Sequence, residues 1–269
     1  MTLTNLAHHS ELFLFDLDGT LYCGGKLFPF TKDLLAEIKR QGKQYRFITN
    51  NSAKSCKDYV TWMAQRGVET AEEEFVTSGR VTVHFIRENY PDAALYICGT
   101  ESLKNEFRDA GFTVTNDLEK VECVIIGYDQ ELNFHKIDDV CRLLYTKKIP
   151  YVATHPDKTC PTEYGYMPDC GTICDMIAGA TGKQPIFIGK PAPLMPEICM
   201  LQTGIDRDKT VVIGDKVETD IQSGWRSGTK TVLVLSGDNT EENVDRSDIK
   251  PDFVLKDCGE LLTALQTTE

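Results

Sequence analysis

Leu12-Phe13-Leu14-Phe15-Asp16-Leu17-Asp18-Gly19-Thr20 is the stretch that decides the fold of this chain. Four consecutive apolar residues without polar alternation read as a short strand buried on both faces. The strand runs into two aspartates spaced i, i+2 and then a glycine that can turn the chain. Strands of this kind belong to parallel sheets covered by helices, and such sheets bind ligands beyond the carboxyl ends of their strands. The residues to seek elsewhere are therefore polar ones that directly follow an apolar run.

Three more stretches meet that description. Tyr45-Arg46-Phe47-Ile48 runs into Thr49-Asn50-Asn51-Ser52, and Ile186-Phe187-Ile188 into Gly189-Lys190-Pro191. Val211-Val212-Ile213 runs into Gly214-Asp215, with Asp220 following at the start of a helix. Further apolar runs at 94–98, 123–126, 151–153, 231–235 and 252–255 alternate with helical stripes. The stripes are Phe30/Leu34/Ile38 with Thr31 as N-cap, Leu103/Phe107/Ala110 behind Thr100, Phe134/Ile137/Cys141/Leu144, and Leu194/Ile198/Leu201. Strand-helix alternation predicts an α/β fold, a Rossmann-like doubly wound parallel sheet. Residues 80–182 carry enough strands and helices for an inserted α/β cap domain, leaving 1–79 and 183–269 as the core.

The chain has 269 residues, 41% hydrophobic and 26% charged, an ordinary globular composition. Its net charge of −12 argues against nucleic acid or an anionic membrane as partner. No run is long enough to span a membrane, and the first residues show no secretory pattern. Ten cysteines without an export signal read as reduced thiols of a cytoplasmic protein. Cys160, Cys170 and Cys174 lack the paired close spacings of a zinc site and read as packing thiols. The polar stretch 241–248 reads as a solvated loop.

Asp16, Asp18, Asp215 and Asp220 at one sheet edge would carry up to four negative charges, and Lys190 returns one positive charge. Like carboxylates raise one another's pKa, so a hard divalent cation such as Mg²⁺ suits the balance. A phosphate dianion could then bind through metal, lysine and backbone N–H groups. One carboxylate of the Asp16/Asp18 pair can attack phosphorus, and the other can carry a proton to the departing alkoxide. Thr49 and Asn50 offer hydroxyl and amide donors for phosphoryl oxygens.

These four motifs, in this order, resemble the haloacid dehalogenase superfamily of phosphohydrolases. Leu21-Tyr22, the Thr-Asn-Asn-Ser form at 49–52 and Gly-Lys-Pro-x-Pro at 189–193 resemble its NagD-like or nitrophenylphosphatase branch. The resemblance implies Asp16 as the nucleophile that forms an aspartyl-phosphate, and Asp18 as general acid/base with its carbonyl on Mg²⁺. It implies Asp16 and Asp215 as carboxylate ligands, with Asp220 supporting the metal's waters. Thr49, Asn50 and Lys190 would bind phosphate. It also implies a cap loop aimed at the leaving group, here Ala153-Thr154-His155-Pro156-Asp157, where His155 replaces the branch's Asn. An imidazole there could stack on a ring or bond a sugar hydroxyl, against the plainer reading of an exposed surface histidine.

The expected activity is Mg²⁺-dependent hydrolysis of small phosphorylated metabolites, sugar phosphates or nucleoside monophosphates, with p-nitrophenyl phosphate as artificial substrate. A phosphotransferase or mutase with the same intermediate, or a non-hydrolytic phospho-aspartate signalling module, are the alternatives. A homo-oligomer formed through the cap is compatible with the sequence.

Overall fold

The computed structural model describes residues 1–162, 164–237, 244 and 247–267. The chain divides into two compact units: Met1–Thr49, Val60–Val76 and Lys190–Glu269 form the first, and Asn50–Tyr59 with Thr77–Gly189 the second.

The first unit is built on a six-stranded sheet. Its order is Phe253–Leu255, Lys230–Val234, Thr210–Gly214, Leu12–Phe15, Gln44–Thr49, Phe75–Thr77. Leu12–Phe15 is central and wholly buried, with parallel neighbours on both sides. One side is taken by the strands that follow it directly and the other by strands from the last third of the chain. Strand order therefore reverses at Leu12–Phe15, and the carboxyl end of this strand is a topological switch point. Phe15 lies in register with Phe47 on one side and Ile213 on the other, so the residues just beyond all three strands share one edge.

The second unit has a four-stranded sheet in the order Ile186–Phe187, Tyr151–Ala153, Cys123–Ile126, Leu95–Cys98, with every adjacent pair parallel. Its core gathers Tyr96, Val124, Ile126, Leu143, Leu144, Ile173 and Ile177. The expected doubly wound α/β core is present, together with a second α/β sheet.

Several local expectations need correction. Ile186–Phe187, which precedes Lys190, pairs with Tyr151–Ala153 and not with the six-stranded sheet. A two-residue strand has too little pattern to say which sheet it joins. Thr31 is the first residue of its helix and Phe30 the N-cap; the Thr31 hydroxyl donates to the Leu21 carbonyl at 2.6 Å. Leu201 and Phe134 are each 80% exposed. In the Leu194–Thr203 helix the buried face is Met195, Pro196 and Cys199. A four-residue spacing fits two faces of a short helix when both carry apolar residues, and burial chose the other one. Thr100 caps its helix as expected, accepting from the Leu103 amide.

The sequence reading did not find the edge strand Phe75–Thr77 or the hairpins Tyr22–Cys23/Lys26–Leu27 and Thr159–Thr162/Gly165–Pro168. Of the stretch 241–248, all but 244, 247 and 248 lies outside the described residues; Val244 packs beside Val217, Ile221 and Leu233. Among the described residues, no helix is long and apolar enough to cross a membrane.

Candidate active site

Asp16 follows the central strand directly, and its amide still donates to the Ile213 carbonyl at 2.8 Å, so the sheet ladder sets its height. Asp215 leaves the neighbouring strand at the same edge, and Asp220 lies in the π-helical turn Val217–Ile221 that follows. Asp16, Asp215 and Asp220 are all buried, and each can present an oxygen within 4.8 Å of the others'. Lys190, itself only 2% exposed, holds two of them: its Nζ lies 2.6 Å from Asp16 Oδ1 and 2.6 Å from Asp220 Oδ1. It also donates to the Ile48 carbonyl at 3.1 Å.

Burial pushes the Asp16 carboxyl well above the usual carboxylate range; Lys190 opposes this, while Asp220 and Asp215 add to it. Burial alone would lower Lys190, but the Asp16 and Asp220 carboxylates override it and hold the ammonium above its ordinary value. Three carboxylates against one ammonium leave an uncompensated negative charge in a buried place.

Backbone without side chains makes this packing feasible. A Cβ on Gly19 would stand 2.5 Å from Asp215 Oδ2, and one on Gly237 2.0 Å from the same oxygen. Gly19 also has φ +85°, the left-handed conformation that turns the chain after Asp18. Ser236 donates to the Gly19 carbonyl at 2.6 Å and ties that turn to the end of the Lys230–Val234 strand. The Asp18 turn is held further by Gly19 N donating to the Tyr22 carbonyl at 2.7 Å. Tyr22 packs on Trp62 with ring centres 4.6 Å apart, and Arg66 stacks on Trp62 at 3.7 Å while donating to the Gly25 carbonyl at 2.9 Å. Asp18 is half-buried, the most accessible of the four acids.

In the first unit the fold thus brings together Asp16, Lys190, Asp215 and Asp220, with Asp18 one turn on and Thr49 buried at the end of the adjacent strand. Asn50, His155 and Asp157 belong to the second unit. There the Asn50 amide donates to Asp157 Oδ2 at 3.1 Å. His155 is fully buried, with Nε2 2.9 Å from Asp169 Oδ1 and Nδ1 3.0 Å from Thr154 Oγ1. The exposed-histidine reading is therefore corrected, and a ring with no exposed surface is not free to stack on a ligand. Asp169 caps the Cys170–Thr181 helix, and its pairing with His155 was not legible in the sequence. All ten cysteines are free, and none belongs to either carboxylate-rich cluster found among the described residues. Ser236 and Gly237 were missed, although they follow the apolar run 231–235 just as Asp215 follows its own.

The chain matches a haloacid dehalogenase-like hydrolase family model over residues 13–113 and a second HAD-hydrolase-like model over 187–261. It is 31% identical over 256 residues to the acid sugar phosphatase of Staphylococcus aureus, covering 95% of this chain and 98% of that one. It belongs to the haloacid dehalogenase-like hydrolases. Among solved structures, this hydrolase is similar to the 4-nitrophenylphosphatase of Thermotoga maritima, with TM-score 0.92, 35% identity, and 97% and 99% of the two chains covered. It is also similar to the glycerol phosphate phosphatase of Mycobacterium tuberculosis, solved in complex with magnesium, with TM-score 0.88, 25% identity, and coverage of 97% and 77%. The hydrolase falls in the NagD-like phosphatase branch.

Proposed function

We propose that this hydrolase is a Mg²⁺-dependent phosphatase for small phosphate monoesters that works through an aspartyl-phosphate on Asp16. The observation that carries the reading is Asp16 held by buried Lys190 at the switch point, with a second, more accessible acid two residues on.

The residues suit a hard cation. The buried donors are carboxylate oxygens in charge excess, with no cysteine or histidine among them. Asp16 and Asp215 would hold Mg²⁺ together with the Asp18 carbonyl. Asp220 supports them instead of ligating, because Oδ1 is on Lys190 and Oδ2 accepts from the Lys216 amide at 3.1 Å. When bound, the cation supplies charge neutralisation for a phosphate dianion and its transition state.

The chain's own residues do the rest. Lys190 orients the Asp16 carboxyl and opposes the effect of its burial, while neutralising charge on the phosphoryl group. Thr49, and Asn50 next in the chain, donate to phosphoryl oxygens. Asp16 attacks phosphorus, and the ester oxygen leaves with the proton carried by Asp18. Asp18, now a carboxylate, then takes a proton from the water that cleaves the acyl phosphate and regenerates Asp16. Asp18 is the least buried of the four acids, which favours access by that water.

Sugar phosphates and p-nitrophenyl phosphate are the first substrates to assay, from the names of the similar proteins. Ten free thiols support a reducing, cytoplasmic setting. The test is phosphate release with and without chelator, repeated with Asp18→Asn across esters of graded leaving group. Asp18→Asn should cost about 10²–10⁴-fold on alkyl phosphates and much less on p-nitrophenyl phosphate. Equal losses across the series remove the proton-donor role, and chelator-insensitive turnover removes the metal.

A further inference from the structure

His155 is wholly buried in the second unit and takes no part in the chemistry assigned to Asp16. The hydrogen bonds around it have a direction. Asp169 Oδ1, 2.9 Å from Nε2, also accepts from the Cys170 amide at 2.6 Å. An ionised carboxylate offers no proton, so Nε2 donates. Nδ1 faces Thr154 Oγ1 at 3.0 Å and Ser78 Oγ at 3.4 Å. The one hydroxyl proton of Ser78 goes to the Asn50 carbonyl at 2.5 Å, so toward the ring its oxygen can only accept. With Nδ1 protonated as well, the ring donates toward the Thr154 and Ser78 hydroxyls, and a chain of donors then runs from the Asp169–His155 pair through Ser78 to the Asn50 backbone.

The same loop grips the other end of Asn50, whose side-chain amide donates to Asp157. There is no slack in that loop. Gly189 N donates to the Thr154 carbonyl and Gly171 N to the Asp157 carbonyl, each at 2.7 Å. A Cβ on Gly171 would stand 2.1 Å from the Pro156 carbonyl oxygen. One on Gly189 would stand 2.5 Å from Asn50 Oδ1 and 3.1 Å from the His155 Cβ.

We infer that His155, paired with Asp169, is a positioning residue that aims the Asn50 amide at phosphate through Ser78 and the Asp157 loop. The inference rests on the phosphatase reading above, which makes Asn50 a phosphate donor. The groups facing the ring are the Asp169 and Asp157 carboxylates, the Cys170 thiol and the two hydroxyls of Thr154 and Ser78. Burial alone would lower the imidazole, but Asp169 foremost raises it to about 9, so the ring is an imidazolium at neutral pH.

The test uses the full chain hydrolysing p-nitrophenyl phosphate, with the Ki of inorganic phosphate as a second readout, for the parent, His155→Asn, Ser78→Ala, Asn50→Ala and the His155→Asn/Asn50→Ala double variant. His155→Asn should raise KM and Ki together by about tenfold, the scale of one charge-assisted hydrogen bond, and move kcat by no more than about threefold. In the Asn50→Ala background it should add nothing. An additive double variant, or a loss confined to kcat, overturns the inference. Phosphate binding by the parent should weaken as pH rises through about 9, beyond any change seen in His155→Asn; identical profiles overturn it as well. If His155→Asn does not fold, Ser78→Ala removes the relay with the ion pair intact, and the same expectation applies to it. A parent chain that hydrolyses no phosphate ester overturns the phosphatase reading and this inference with it. A normally active parent with an unchanged His155→Asn overturns this inference alone.

Discussion

Among the described residues, two clusters of three titratable side chains bring their ligand-type atoms close together, and they differ in what is left unpaired. Asp16, Asp215 and Asp220 in one unit, and His155, Asp157 and Asp169 in the other, each bring their ligand-type atoms within 4.8 Å of one another. The first has three acids and the single ammonium of Lys190, so it holds surplus negative charge out of water. The second has one acid paired with a raised imidazole and another accepting from Asn50, so its polar atoms are committed to partners inside the unit. Proximity of acids alone says little. The charge left over after pairing separates the cluster proposed to take a cation and a substrate from the one proposed to hold a loop still.

That contrast can be broken by substitution. Asp16→Asn should reduce turnover of p-nitrophenyl phosphate by about 10⁴-fold or more, as loss of a covalent nucleophile does. Asp169→Asn should cost less than about tenfold in kcat. Comparable losses in steady-state assays at saturating Mg²⁺ would erase the distinction between a reacting cluster and a holding one.

Stability sharpens it next. Lys190→Met strands three buried carboxylates and should destabilise the metal-free protein by about 3–5 kcal/mol. Millimolar Mg²⁺ should recover part of that, read from urea unfolding with and without chelator. An unchanged midpoint without metal would mean that the acids carry no net charge there.

The smallest effect is pH-linked and belongs to the second cluster. The folded imidazole of His155 titrates at about 9, above its ordinary 6.5, so its ion pair stabilises the fold fully below pH 6.5 and progressively less as pH rises to about 9. Thermal melting from pH 6 to 9.5 should fall more steeply for the parent than for His155→Asn. Parallel curves would count against a charged ring.

Much of the first cluster was legible because each residue sits where an apolar strand ends, and a strand's exit is written locally. Asp16, Thr49 and Asp215 follow buried runs of the central strands. Lys190 was found by the same rule for a different reason, since the strand before it belongs to the other sheet. The His155–Asp169 pair was not legible, because it closes between a loop and a helix cap, and no periodicity marks which capping acid faces inward. The packing reason for glycine at 171 and 189 was hidden likewise, because the need for a missing Cβ arises from a carbonyl or side chain placed by another segment.

The central place of Leu12–Phe15 has a consequence for biosynthesis. This strand is made well before one of its two neighbours, Thr210–Gly214, which is encoded far downstream of it. Lys190, Asp215 and the Ser236-Gly237 corner therefore reach Asp16 only once those downstream segments have been made. A chain that stops short of Lys190 and Asp215 cannot assemble the cluster around Asp16.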